Sequence, residues 1–298
     1  MGTGKRATGG DLLVVGHTVV DRFWHVASLP QRDRTVPVER VRVALGGTAA
    51  NIARACAGRG IRTGLVSRIG PDFPKEFRAE LVRAGVDLRG LETVRNDHSP
   101  TCLIIEDGRG GQVTLIDQGP MGDESSARLP TDLLAGYPWV HLTTGDPDYQ
   151  LRVLAAARAA GARVAADPAQ EIHYRWNPQT LRALLAGSEM FLGNEAEAAA
   201  AVRLTRAGTV ARLTRLVPLV VVTRGRRGAR AYSRSGTFDA PGRRPRTLRQ
   251  VTGAGDSFRG GFYAAWLRGS PVAEALEEGV RAGTSWIETA RYPRKGRR

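Results

Sequence analysis

Near the C-terminus the chain sets small residues around a single carboxylate: Val251-Thr252-Gly253-Ala254-Gly255-Asp256-Ser257-Phe258-Arg259-Gly260-Gly261-Phe262. Glycines at 253 and 255 let a backbone turn sharply and bring its N–H groups close to a bound anion. An amphipathic helical pattern follows at once. Its N-terminus would aim unsatisfied N–H donors and a positive dipole end at the same spot. Asp256 stands beside that anion site, where a general base would be needed. The chemistry this suggests is phosphoryl transfer to an alcohol. The carboxylate takes the hydroxyl proton, and backbone amides stabilise charge on the moving phosphoryl group. The same string also fits an ordinary loop with Asp256 as a helix N-cap, a position that Asp favours.

Other segments carry compatible chemistry. In Gly16-His17-Thr18-Val19-Val20-Asp21, the carboxylate of Asp21 can accept bonds from two vicinal hydroxyls, as sugars offer, or can be a solvent-facing turn residue. Gly46-Gly47-Thr48-Ala49-Ala50-Asn51 is a second Gly-rich junction, where small side chains let a ligand approach the backbone and Asn51 offers donor and acceptor. Asn194-Glu195-Ala196-Glu197 reads as an N-cap with a capping box. It also reads as a site where Glu197 orders waters around a phosphate-bound Mg2+. Thr223-Arg224-Gly225-Arg226-Arg227-Gly228 is a Gly turn that can border a nucleotide. The five histidines have no metal-ligand spacing, and only His17 stands where it can face a substrate. There is no Gly-x-x-x-x-Gly-Lys-Ser/Thr loop and no protein-kinase Gly-rich loop.

The elements that must position these groups alternate. Strands are expected at 12–15, 36–43, 65–67, 139–142, 163–166, 190–192 and 219–223. Helices are expected at about 49–57, 73–84, 149–160, 177–186, 196–204, 256–267 and 272–289, with a hairpin around 230–234. Segments 101–106 and 112–117 flank Asp107-Gly108-Arg109-Gly110-Gly111, a strong hairpin signal, and this hairpin can pair with the 36–43 strand as a lid. Strand–helix alternation implies a mainly parallel sheet covered on both faces. Ligands bind such sheets outside the C-terminal strand ends, where most of the motifs above fall.

A length of 298 residues and 42% hydrophobic content allow one large α/β domain or two modest ones. No apolar run reaches the roughly 18 residues of a membrane span. The stretch Leu12–Val15 is too short for a secretory segment, so a cytoplasmic protein with a flexible N-terminus over residues 1–10 is expected. Cys56 and Cys102 read as buried small hydrophobes in a reducing compartment. The net charge of +15 raises nucleic-acid binding as a rival function, but the arginines are scattered and no nucleic-acid-binding spacing accompanies them. A positive cleft for a phosphate ligand explains some of the same charge.

In their order along the chain the pieces resemble the PfkB/ribokinase family of carbohydrate kinases. The series is Gly16-x-x-x-x-Asp21, Gly46-Gly47 with Asn51, Gly70-x-Asp72, Asn194-x-x-Glu197, Thr223-x-Gly225-x-x-Gly228-Ala229 and Gly253-Ala254-Gly255-Asp256. The resemblance covers nearly the whole chain. It implies a single ribokinase-like domain over 11–298: an αβα sandwich with a mainly parallel central sheet and a small β-sheet lid from about 17–45 and 100–118. It implies ATP and Mg2+, with Asp256 as base and the amides of Gly253, Ala254 and Gly255 as anion hole. Asn194 and Glu197 would reach the metal through water. Asn194, Thr223, Gly225, Gly228 and Thr252 would border the nucleotide, and Asp21, Gly46, Gly47, Asn51 and Gln170 would hold the acceptor.

Finer details look most like microbial nucleoside kinases related to the archaeal ones: Gly16-His17-Thr18, Thr144-Gly145-Asp146-Pro147, Asp167-Pro168-Ala169-Gln170 and Ser257-Phe258-Arg259-Gly260-Gly261-Phe262. The resemblance thus implies phosphorylation of the 5′-hydroxyl of adenosine, inosine, guanosine or cytidine. The alternatives are a ribokinase- or fructokinase-like sugar kinase and a non-catalytic nucleotide- or nucleic-acid-binding protein. Gln250 stands where sugar kinases usually carry an Asp associated with a monovalent cation, which speaks against the usual K+ dependence. The basic stretch Arg291–Arg298 stands where many relatives have a final helix. The exposed edges of the lid sheet favour a homodimer.

Overall fold

The computed structural model describes residues 9–249 and 251–290; Gln250, the first eight residues and the basic stretch from Arg291 lie outside the described residues. The chain runs β1 (Leu12–Val15), β2 (Val19–Val26), β3 (Arg40–Gly46), α1 (Thr48–Ala57), β4 (Thr63–Ile69), α2 (Lys75–Arg83), β5 (Asp87–Thr93), β6 (Thr101–Asp107), β7 (Gln112–Asp117), α3 (Thr131–Leu134), β8 (Trp139–Leu142), α4 (Pro147–Ala159) and β9 (Arg163–Ala166). It continues with α5 (Pro178–Ala186), β10 (Met190–Asn194), α6 (Glu195–Thr205), β11 (Leu219–Thr223), β12 (Ala229–Ser233), β13 (Gly236–Ala240), α7 (Ala254–Trp266) and α8 (Val272–Thr289).

The large sheet has the order β13-β12-β11-β10-β9-β8-β1-β4-β5. It is parallel from β11 to β5, and β12 and β13 join antiparallel through hairpins. Its central strands are apolar at nearly every position because each face has its own core. Leu12 and Val14 of β1 point into a core shared with α1, α2, α7 and α8, while Leu13 and Val15 point into one shared with α3, α4, α5 and α6. Met190 and Leu192 against Phe191, and Val221 against Val220 and Val222, repeat the division. The result is the expected αβα sandwich. Each fully buried Leu or Val contributes about 1.5–3 kcal/mol, so both layers are held firmly around the strand ends that carry the motifs.

The second sheet has the order β3-β2-β6-β7. The strand expected at 36–43 is displaced: it begins at Arg40 and runs to Gly46. Pro37 has no N–H to offer a ladder, so pairing starts after it. The hairpin of β6 and β7 also does not pair with this strand. β6 pairs parallel with β2, and β2 pairs antiparallel with β3, so β2 is the element between them. Cys56 and Cys102 are both buried and free, as expected. Among the described residues no helix is long and apolar enough to cross a membrane.

Candidate active site

The C-terminal ends of the parallel strands and the inner face of the small sheet enclose a cavity of about 340 Å3. Gly253 caps α7 with φ 88°, a left-handed conformation open to glycine at little cost. Gly255 already lies inside the helix, so only one of the two expected glycine turns exists. Asp256 is therefore in the first turn of α7, and Gly253 rather than Asp256 is the cap. This removes the reading of Asp256 as an N-cap and leaves its carboxylate at the cavity wall.

One chain of side chains fixes that carboxylate. Glu80 pairs with Arg54, and Arg54 Nη2 donates to Asn51 Oδ1 at 3.4 Å. Asn51 Nδ2 donates to Asp256 Oδ2 at 3.1 Å. The arginine sets which end of the Asn51 amide faces Asp256. Burial pushes the Asp256 carboxyl up, while the charge of Arg259 and the Asn51 bond pull it down; it settles at about 6. An ionised carboxylate with that affinity can accept a hydroxyl proton at neutral pH.

Asp21 lies within β2, on the face of the small sheet that lines the cavity, instead of in a turn after β1. Its register partner is Cys102 of β6, which in turn pairs with Ile116 of β7. Gly46 exists for Asp21: a Cβ there would stand 2.0 Å from Asp21 Oδ2. Burial, reinforced by the charge of Asp256, raises the Asp21 carboxyl to about 7.

Arg259 is buried at the cavity wall and grips Asp167 through two guanidinium nitrogens, the Nη2 contact at 2.7 Å. Asp167 Oδ2 lies 3.2 Å from His141 Nε2, and His141 Nδ1 lies 2.8 Å from the Tyr263 hydroxyl. Burial alone would raise the Asp167 carboxyl, but the charge of Arg259 and the His141 contact outweigh it and hold it ionised. Sequence reading quoted Arg259 in its motif without giving it a role.

Asn194 and Glu197 form the expected capping box. Glu197 N–H donates to Asn194 Oδ1 at 2.9 Å, and Asn194 N–H donates to Glu197 Oε2 at 2.7 Å. Both residues also line the cavity. Among the described residues no cluster of three or more His, Cys, Asp and Glu side chains can cage a metal.

The match to a family decides what this arrangement is. Residues 10–290 fit the profile of the pfkB family carbohydrate kinases. The chain belongs to this family. A nucleoside kinase of Methanothermobacter thermautotrophicus is 34% identical over 265 residues, covering 88% of this chain and 84% of that protein. A cytidine kinase of Thermococcus kodakarensis is 31% identical over 279 residues, covering 91% and 93%. The solved nucleoside kinase structure of Methanocaldococcus jannaschii superposes with a TM-score of 0.86 at 24% identity, covering 94% of this chain and 93% of that one. The pfkB-family protein described here is thus a phosphotransferase with a ribokinase-like fold and an alcohol group as acceptor.

Within the pfkB frame most of the expected site residues meet at one cavity. Asp21, Gly47, Asn51, Gln170, Asn194, Glu197, Thr223, Thr252, Gly255 and Asp256 line it. Gly225 and Gly228 do not: they shape the turn after β11, with Gly228 pressed against Ala240. Gly253 lines a neighbouring cavity of about 280 Å3 between α1, α7 and α8, which Asn51 and Asp256 also border. Ala254 lines neither, and its N–H donates to Val251 O at 3.1 Å. Cavity-lining residues to which the sequence assigned no role in the site include Thr48, Thr144, Tyr174, Arg259 and the inward face of β7, Gln112, Thr114 and Ile116.

Proposed function

We propose that this enzyme transfers the γ-phosphoryl group of ATP to the 5′-hydroxyl of a nucleoside. The observation that carries the reading is the pair of carboxylates, Asp256 and Asp21, within electrostatic reach of each other across one cavity. A ribose held by its vicinal hydroxyls on Asp21, with Asn51 beside them, presents its 5′-hydroxyl to Asp256. Thr144, Gln170 and Tyr174 also line the cavity, and in this reading a base attached at C1′ lies against them. Its volume suits a small organic ligand. The two curated relatives, a nucleoside kinase and a cytidine kinase, support the same substrate class.

In this reading Asp256 takes the hydroxyl proton as the oxygen attacks in line. Amides at the start of α7 offer charge to the phosphoryl oxygens. Ala254 N–H is already engaged by Val251, so the anion hole rests more on Gly253 and Gly255, with Ala254 joining only if it lets go. Thr223, Gly225, Gly228 and Thr252 border the nucleotide. Mg2+ fits as a phosphate-bound ion: no protein cage exists among the described residues, and the cavity-lining Glu197, whose Oε2 is held by Asn194, is a carboxylate suited to holding the ion's waters. Bound there with Asn194 and Glu197 holding its waters, it would neutralise charge on the phosphates. The small sheet, closing over the acceptor, would exclude water.

The test is ADP release from Mg·ATP with adenosine, inosine, guanosine, cytidine, ribose, fructose and fructose 6-phosphate. Turnover is expected with nucleosides and not with free sugars. Turnover with a sugar alone would overturn the substrate class while keeping Asp256 as base.

The outward face of the lid exposes Val41, Val113 and Leu115, an apolar set at the two edge strands that supports a homodimer through the lid. Sedimentation velocity is expected to show a dimer, and Val113→Lys with Leu115→Lys is expected to split it. A monomer throughout would remove this assembly.

A further inference from the structure

Between β13 and α7 the described residues form no strand or helix and are almost all exposed. Leu248 and Val251, two of the apolar side chains there, are 69% and 67% exposed. Apolar burial therefore does little to hold this segment. Yet it sets the start of α7, where backbone amides would meet the phosphoryl oxygens. Hydrogen bonds must fix it instead.

The last turns of α8 supply them. Arg246 N–H donates to Glu288 Oε1 at 2.6 Å, and Arg249 N–H donates to Ile287 O at 2.9 Å. Ile287 lies in the final turn of α8, where a carbonyl has no partner within its own helix, so the bond takes nothing from the helix. Trp286 makes the third bond: its Nε1–H donates to Thr252 O at 2.8 Å. The indole also lies against the cap of α7, because a Cβ on Gly253 would stand 3.1 Å from three of its ring atoms.

The Trp286 bond decides where one amide points. The carbonyl of Thr252 and the N–H of Gly253 belong to the same planar peptide unit, and in a trans peptide they point opposite ways. Holding the oxygen on the indole aims the Gly253 N–H away from it. A glycine turns over easily, so without that bond the peptide plane is free to flip.

The same ring reaches the base as well. The Arg54 guanidinium lies over it, 5.9 Å from the ring centroid, within cation–π reach. Arg54 holds Asn51, and Asn51 holds Asp256. One indole thus bears on the amide at the start of α7 and on the side chains that orient the carboxylate. Trp286 does so from the second cavity of about 280 Å3, behind Asp256.

We propose that Trp286 is a positioning residue for phosphoryl transfer, holding the Thr252–Gly253 peptide so that its N–H faces the transferred group. The proposal rests on the reading of the α7 start as the anion hole.

Trp286→Phe keeps an aromatic face for Arg54 and removes the N–H. With Mg·ATP and the panel acceptor that the wild type turns over fastest, kcat is expected to fall about tenfold or more, with KM for the acceptor little changed. Hydrogen exchange gives a second readout: peptides spanning 249–256 are expected to exchange faster in the variant, and those of β1, β4 and β8 at the wild-type rate. Trp286→Met, also without a donor, takes its place if the Phe variant does not fold. A wild-type kcat, or exchange that quickens across the whole chain, refutes the positioning role. Gly253→Ala tests the anion-hole reading separately, because alanine resists a φ of 88°. If it keeps full kcat, that reading and the proposal fall together. If it is slow while Trp286→Phe is not, only the role of Trp286 falls.

Discussion

Replacing Asp256 with Asn is expected to lower kcat by roughly a hundredfold or more, with nucleoside affinity much less changed. The amide has the size of the carboxylate and can still accept the hydrogen bond that Asn51 Nδ2 donates. What it loses is the ability to take a proton. The fold should not suffer. The carboxyl has its proton affinity raised from 3.8 to about 6 in the folded chain. A group shifted in that direction stabilises the fold below pH 4, and that stability is lost as the pH rises through 6. At pH 7 the native carboxylate is therefore a burden, and the neutral amide is expected to leave Tm equal or higher. A stable, nucleoside-binding, inactive variant is the expected result; a near-wild-type kcat would refute the base assignment. With Asp256 at about 6 and the acceptor-holding Asp21 at about 7, the acid limb of the wild-type kcat/KM profile is expected between pH 6 and 7, with activity lost below it.

The parts of the fold that were legible in the sequence are those whose pattern had one cause. Strands such as Leu12–Val15 and, up to its last residue, Leu219–Thr223 are continuous apolar runs because helices cover both faces, and α8 runs over the expected 272–289. The lid was expected from about 17–45, but β2 was not delimited as a strand within it because it serves two surroundings. Its Asp21 faces a polar cavity, while its Arg22 is exposed, so neither face reads as core. β5 sits at the edge of the large sheet with only Leu91 buried, and it carries the same weak signal. In the site, the Gly-rich junctions announced themselves because a glycine at a close approach has few substitutes. Gln112, Thr114 and Ile116 were legible in principle, since residues two apart on a strand share a face. Their importance depends on which face meets the cavity, and only the pairing of β6 with β2 decides that.

Arg259→Gln is expected to weaken both stability and the base. Arg259 is legible as a buried charge one turn after Asp256 in a helix of otherwise small and apolar residues, but its purpose appears only with Asp167, 92 residues earlier in the chain. Removing one partner of a buried pair leaves the other charge stranded, at a cost of about 3–5 kcal/mol. Asp167→Asn together with Arg259→Gln removes both charges, so the double variant is expected to regain part of the Tm lost by the single one. Its activity is not expected to return. The Arg259 charge is the largest influence that lowers the Asp256 carboxyl, so its loss lets burial push that group above 6. The sign follows directly: a higher proton affinity moves the acid limb of the rate profile to higher pH and lowers the rate at neutrality. A residue that merely packed the helix would change Tm and leave the limb in place. Arg259→Lys separates the two effects, because lysine keeps the charge but lacks the fork that grips both Asp167 oxygens. It is expected to lower Tm while holding the acid limb near its wild-type position. A limb that stays at its wild-type position in Arg259→Gln would show that Asp256 does not depend on this arginine.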